Sequence, residues 1–536
     1  MKRLLIILSA SMLSIGTFAQ QPTNKVSIAW GKPFKQSAKK TLSDIVGVDE
    51  TGFYTIEEKY NYFGKVSELS MSKFDNNQNK VLGKEIDLSQ GNHERELEGI
   101  LQVENKLVLF SSYPNKKTKN NLLYRQVINK NNLNPDEDIQ TVASIDFTGE
   151  NKNNSGNYGF EFSTDKSKIL VYYNKPYDKG ESEAYGFHIL NSDISELWQK
   201  EVILPYKEEL FEVQDYEVST KGTVYVLGRV FTEKRKNTRS GKPNFHYVVL
   251  EYAQNGQTNE YPVTVKGKYL IDMNVAITAT DDILCSGYYS DQETYSIRGS
   301  YFLSIDHVTK SITSDSYQAF PIDFLTQHMN KIQAKKTKKK AEKGKDVELY
   351  GYDLRDLVIR EDGGAILIGE QFRVYVVAIT TTNNGVSSTT YQYHYLYNDI
   401  IVTNISPEGE IEWSKKIAKR QHTINDGGAY SSYALMVVKD KLYFIFNDNV
   451  ENLNYDGVGK PALLSKGKKS YVVLVEMDGE GNQTREPLFS AKETGAITKP
   501  KVCEQISPEE MVLYAQKGKK NRFAQLTFVP AVNAKL

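Results

Sequence analysis

The chain has 536 residues, 39% of them hydrophobic and 25% charged, and its 67 basic residues are balanced by 67 acidic ones. That balance excludes a general field drawing the protein toward nucleic acid or acidic polymers, so any such binding has to be local. The 35 tyrosines against 3 tryptophans and 15 prolines point to strands rather than helical bundles or disorder.

The chain opens with Lys2 and Arg3, an apolar run over residues 4–13, and then Thr17, Phe18 and Ala19. A basic start, a short apolar core and small residues at Thr17 and Ala19 form an export signal, with cleavage expected between Ala19 and Gln20. The apolar core is shorter than the roughly 20 residues a membrane span needs, and no later stretch reaches that length. The mature chain, residues 20–536, is therefore expected to be exported, either to the periplasm or to the cell surface and beyond, without a transmembrane segment.

A short β-rich run then recurs eight times: Phe53-Tyr54-Thr55-Ile56, Leu107-Val108-Leu109-Phe110, Ile169-Leu170-Val171-Tyr172, Val224-Tyr225-Val226-Leu227, Ile283-Leu284-Cys285, Ile366-Leu367-Ile368, Leu442-Tyr443-Phe444-Ile445 and Met511-Val512-Leu513-Tyr514. Each follows a strand and a turn such as Asp49-Glu50-Thr51-Gly52 or Glu361-Asp362-Gly363-Gly364, which is hairpin chemistry. A third strand follows, as at 247–252, 400–405 and 471–477. After turns such as Asp478-Gly479 or Pro407-Glu408-Gly409 comes a fourth, as at 411–415. Four strands make one propeller blade, and the repeat predicts a single all-β domain of about eight blades, with seven as the alternative.

The three tryptophans share a Trp-x-Lys context, at Trp30, Trp198 and Trp413, and mark one structural position. The first stands before any complete unit, whereas the last unit, 501–528, has three strands. The N-terminal strand is thus expected to complete the last blade and remove an open sheet edge. Cys285 and Cys503 fall about three units apart, too far for a disulfide, and are read as buried small hydrophobes.

One insertion, at about 320–348, breaks the pattern. Ile322, Leu325, Met329 and Ile332 recur at helical spacing after Pro321, and eight lysines follow within 331–345. We expect a helix and then a solvated or disordered basic stretch, whose functional reading is an arm for an anionic surface such as lipopolysaccharide or nucleic acid. Later in the chain Tyr391, Tyr393, Tyr395 and Tyr397 alternate, placing four phenol rings on one face of a strand. They are the candidate binding residues, able to stack on sugar rings or a partner, or else to form a packing face.

Motifs for chemistry are missing: there is no Gly-x-Ser-x-Gly elbow, no phosphate-cradling loop and no His-Glu-x-x-His pair. The seven histidines, His93, His188, His246, His307, His328, His394 and His422, are scattered. Asn452-Leu453-Asn454-Tyr455-Asp456-Gly457 resembles the start of a calcium loop but has Asn at its first position and Leu463 at its twelfth, so a turn is preferred. Catalytic residues stay unassigned. Glu370, Asp399 and Asp448 lie near turns, and a glycosidase would need two carboxylates in one pocket.

The strand–turn pattern and the Trp-x-Lys segments resemble the blades of bacterial envelope propellers of unassigned function, and the segment after Pro407 resembles the Gly-x-x-x-Trp of quinoprotein-type repeats. No cofactor, metal or nucleic acid is expected. The leading expectation is an exported, non-enzymatic binding or scaffold protein of the cell envelope, with another envelope protein or a glycan as partner. The alternative is a hydrolase or lyase acting on polysaccharide or peptidoglycan at a central propeller pocket.

Overall fold

The computed structural model describes residues 25–529 apart from 37–38, 63, 92, 148–154, 177–179, 234–237, 240–241, 266, 292–295, 346, 384–385, 465–468 and 519. The export signal and its cut at Ala19 and Gln20 lie outside these residues. Among the described residues no helix is long and apolar enough to cross a membrane.

The regular structure of the described residues is almost entirely antiparallel strand. Eight sheets have four or more strands, and two further pairs are short ribbons. Seven of the eight follow chain order from first strand to fourth. Their first strands run Thr41–Asp49, Glu96–Val103, Tyr158–Phe162, Phe211–Val218, Tyr269–Ile277, Tyr352–Ile359 and Ala434–Val438. In the last sheet Glu504–Ser507, Glu510–Lys517 and Lys520–Phe528 are joined by the N-terminal strand Val26–Trp30. Val26 pairs with Phe528 and Trp30 with Ala524.

Burial shows how the sheets are arranged. The core is divided into eight hydrophobic clusters, and each joins one sheet to the next. The last links Leu42, Phe53 and Phe74 of the first sheet to Val512, Tyr514 and Phe523 of the final one. Phe53 stacks on Phe74 at 5.0 Å, and Phe523 meets both edge-on at 4.8 and 4.7 Å. The sheets therefore close on themselves as a β-propeller, with first strands adjacent to first strands around the axis.

The tryptophans occupy one position, the fourth strand of their sheets. The indole N–H of Trp198 donates to the Gly222 carbonyl at 2.9 Å and that of Trp413 to the Gly479 carbonyl at 2.8 Å, each in a turn of the following sheet. Cys285 and Cys503 are free.

The insertion between the fifth and sixth sheets differs from expectation. The first helix, α1 (Ile322–Thr326), ends after five residues, with Pro321 as its N-cap, and the chain turns through His328 at φ 63°. A second helix, α2 (Lys331–Glu342), then takes up the lysine run, capped where the Asn330 side chain accepts from the Gln333 N–H at 2.8 Å. Lysine is a good helix former, and a cap at the right place outweighs the disordering expected from composition alone.

Candidate functional site

Among the described residues six first strands carry β-bulges, on the first, second, fourth, fifth, sixth and last sheets. A bulge bends a strand and re-aims its side chains. In four of them the residue after the extra one is an aspartate: Asp44, Asp215, Asp272 and Asp356. In the second sheet Glu98 is itself the extra residue. The carboxylates answer the backbone donors around them. The Ile45 N–H donates to Asp44 Oδ1 at 2.7 Å, the Tyr216 N–H to Asp215 Oδ1 at 2.9 Å and the Met273 N–H to Asp272 Oδ1 at 3.1 Å. Gly287 lies opposite the bulge of the fifth sheet, where a Cβ would come within 2.0 Å of the Asp272 carbonyl oxygen.

With Glu161, Glu217, Asp353 and Glu504, also on first strands, these residues form an acidic lining of the central channel. Asp44, Asp215, Asp353 and Glu504 are open to water, yet desolvation raises all four carboxyls above their ordinary values. That combination belongs to the wall of a narrow channel. Burial likewise raises Glu161, Glu217, Asp272 and Asp356, and pushes Glu98 up to about 7. Like charge adds to the effect: Asp215 and Glu161 act on Glu217, Asp44 on Glu504 and Asp353 on Asp272. Arg229, 3.3 Å from Asp272, offsets part of it, as do Arg355 beside Asp353 and Lys166 beside Glu504. A cleft of about 810 Å³ opens here, lined among others by Asp44, Asp49, Gln102, Asp165, Lys166 and Glu504. The arrangement can hold cations.

The carboxylates singled out in sequence are brought together elsewhere. Glu370, fully buried, receives Lys419 Nζ at 2.6 Å and Ser432 Oγ at 2.8 Å, with Arg355 at 3.2 Å. Asp399 accepts the Lys419 N–H at 3.3 Å and faces His328 Nδ1 at 2.9 Å. Asp448 pairs with Arg485 and accepts from Asn452 Nδ2 at 2.7 Å. All three are engaged by ion pairs: that of Asp399 ties the sixth sheet to the insertion, whereas those of Glu370 and Asp448 lie within the sixth blade and the seventh sheet. Asn452 is consumed there too, so the calcium-like stretch is a short 3-10 turn, Val450–Asn454, packed on Asp448.

The four tyrosines lie on a hairpin, Ala365–Asn383 with Val386–Ile405, that runs far beyond its blade. Tyr391, Tyr393, Tyr395 and Tyr397 face Ala378, Val376, Val374 and Phe372 across the pair, forming one apolar strip. Its base is buried, where the Tyr397 hydroxyl accepts from Lys501 Nζ at 2.8 Å. Toward the tip it is open, with Tyr391 61% and Tyr393 47% exposed. On the other face Tyr375 stacks on His394 at 4.6 Å, and His394 Nδ1 lies 2.9 Å from His422 Nε2, a pairing of scattered histidines that spacing could not foretell. His422 also borders an apolar cavity of about 530 Å³ with Ile424, Tyr430 and Ala496. At turns of the fifth sheet Asp282, Asp306 and His307 bring ligand atoms within 4.8 Å of one another, a set that could hold a metal ion.

Fold and site define a β-propeller with a carboxylate-lined channel. The chain matches no family model and no curated protein. Among solved structures it is similar to the polysaccharide lyase Uly1, at 10% identity and a TM-score of 0.35 over 94% of this chain and 100% of that one. It is similar also to the β-propeller domain of the Trilobed protease from Pyrococcus furiosus, at 10% identity and a TM-score of 0.34 over 85% of this chain and 96% of that one. A member of the DUF4221 family from Bacteroides vulgatus matches at 9% identity and a TM-score of 0.30 over 87% and 99%. Likenesses this distant carry no argument about activity.

Proposed function

We propose that the protein is an exported binding protein of the cell envelope, and that its channel takes a cationic group of another envelope protein or of an amino-bearing glycan. The observation that carries this reading is the acidic lining itself. Nine first-strand carboxyls in six blades and the closing sheet are desolvated and only partly matched by cations. A positive group entering the channel would replace the water these carboxylates lack, so the chain as folded favours a basic ligand over the polyanions that many polysaccharides are.

The test is a crosslinked capture of the tagged full chain from its native envelope, beside a D215N/E217Q variant. A stoichiometric partner held by the wild type and lost from the variant supports the reading. Equal recovery by both would sink it. A hydrolase of polysaccharide or peptidoglycan is favoured by one observation, the Glu98 carboxyl poised near neutral pH as a general acid would be. That reading requires turnover of a glycan panel that disappears in E98Q.

A further inference from the structure

In antiparallel four-stranded blades, the turns joining first to second and third to fourth strands lie on one face. The connections from second to third strand and from blade to blade lie on the other. The insertion carrying α2 and the tip of the long hairpin thus share a face, and both belong to the approach to the sixth blade. Lys416 of that blade fixes α1 by donating from Nζ to the Phe324 carbonyl at 2.9 Å.

Helix α2 works against its own stability. Lys331, Lys335, Lys339 and Lys343 follow one another at i, i+4, and Lys336 and Lys340 repeat the spacing beside them, an arrangement in which like charges repel. Among the described residues only Lys338 of the run reaches a carboxylate, Asp323 at 2.6 Å. Ala334, Thr337 and Ala341, the half-buried positions, form the inner face, where Thr337 Oγ1 lies 3.8 Å from Met329 Sδ, so the lysine rows point outward, with Ile332, 70% exposed, between them. A sequence that breaks a local rule without compensation in the fold marks a surface compensated by something else. On the same face the hairpin exposes Val374, Val376, Tyr391 and Tyr393 on one strip.

We propose that this face docks on an anionic phospholipid bilayer, with α2 lying over the lipid phosphates and the hairpin strip entering the headgroup region. Lysine rows answer a diffuse sheet of phosphate charge, and tyrosine with aliphatic side chains suits the membrane–water boundary. The run contains no arginine and no aromatic residue to read a base or a nucleic-acid backbone, which favours lipid over nucleic acid. This goes beyond the channel reading and does not depend on it.

The experiment is co-sedimentation of the full chain with phosphatidylcholine vesicles, with and without phosphatidylglycerol, at low and high salt. Partitioning is expected only onto the anionic vesicles and is expected to fall steeply with salt. K335Q/K339Q/K343Q, which keeps good helix formers, should lose about tenfold or more, given the contribution of each lysine near such a surface. K80Q/K106Q/K439Q, an equal charge loss at exposed turns of the opposite face in the first, second and seventh blades, should lose far less. In Tyr393→Trp the new fluorescence should shift to the blue on anionic vesicles. Equal sedimentation with neutral and anionic vesicles, or no salt dependence in the wild type, would overturn the proposal whatever the variants do. Tighter retention on duplex RNA or heparin than on the vesicles would overturn the lipid assignment.

Discussion

Glu98 shows how a single residue ties the channel to pH. Its folded carboxyl is held near 7 against an ordinary 4.5, so between those values the native state binds the proton that the unfolded chain has lost. The stability it contributes is complete below the ordinary range and is lost as pH rises through the folded value. The other raised channel carboxyls act in the same direction. Asp49 acts the other way: burial works upward on it, but hydrogen bonds from Thr51 and Lys130 outweigh that and hold it well below the usual range, so it loses stability only in stronger acid. The expected outcome is a higher Tm at about pH 5 than at about pH 8, in a scan at constant ionic strength. Spermidine or a divalent cation should raise Tm at the higher pH and change it little at the lower. A Tm that climbs steadily from pH 5 to 8 would contradict the desolvated lining.

At the scale of elements, the second strands, their turns and the Trp-x-Lys segments were legible because β-branched runs, glycine turns and repeated tryptophans are local properties. The channel was also written in the chain, at Ser43-Asp44-Ile45, Gln214-Asp215-Tyr216, Ile271-Asp272-Met273 and Arg355-Asp356-Leu357. Bulges hid it: an extra residue breaks the two-residue period by which strand faces are read, so these aspartates looked like ordinary strand polars. Glu370, Asp399 and Asp448 were picked out for their types and turned out to be spoken for, since sequence shows a carboxylate but not the Lys419, His328 or Arg485 that meets it. The repeated tryptophan offers a direct measurement. Trp198→Phe and Trp413→Phe keep an aromatic ring but remove the N–H that reaches the next blade's turn, and each should cost about 1 kcal/mol in urea unfolding. Wild-type midpoints in both would mean that these bonds do not couple neighbouring blades.

For the whole molecule, the ring depends on one strand delivered from the other end of the sequence. Without Val26–Trp30 the strand Lys520–Phe528 would present an open edge, and Trp30 would no longer meet Phe489 edge-on at 5.1 Å. Removing residues 25–36 should lower Tm and produce concentration-dependent association by light scattering, and a synthetic peptide of those residues added in trans should reverse both. A monomeric truncated protein with unchanged Tm would show that the sheets close without it.

Pairing Val26 with Phe528 also sets a schedule. The strand Val26–Trp30 must wait, unpartnered, until Lys520–Phe528 has been made, and the contact that completes the circle spans every sheet between them, so its loop entropy has to be met last. A growing chain can assemble individual blades, but it cannot yet be a propeller.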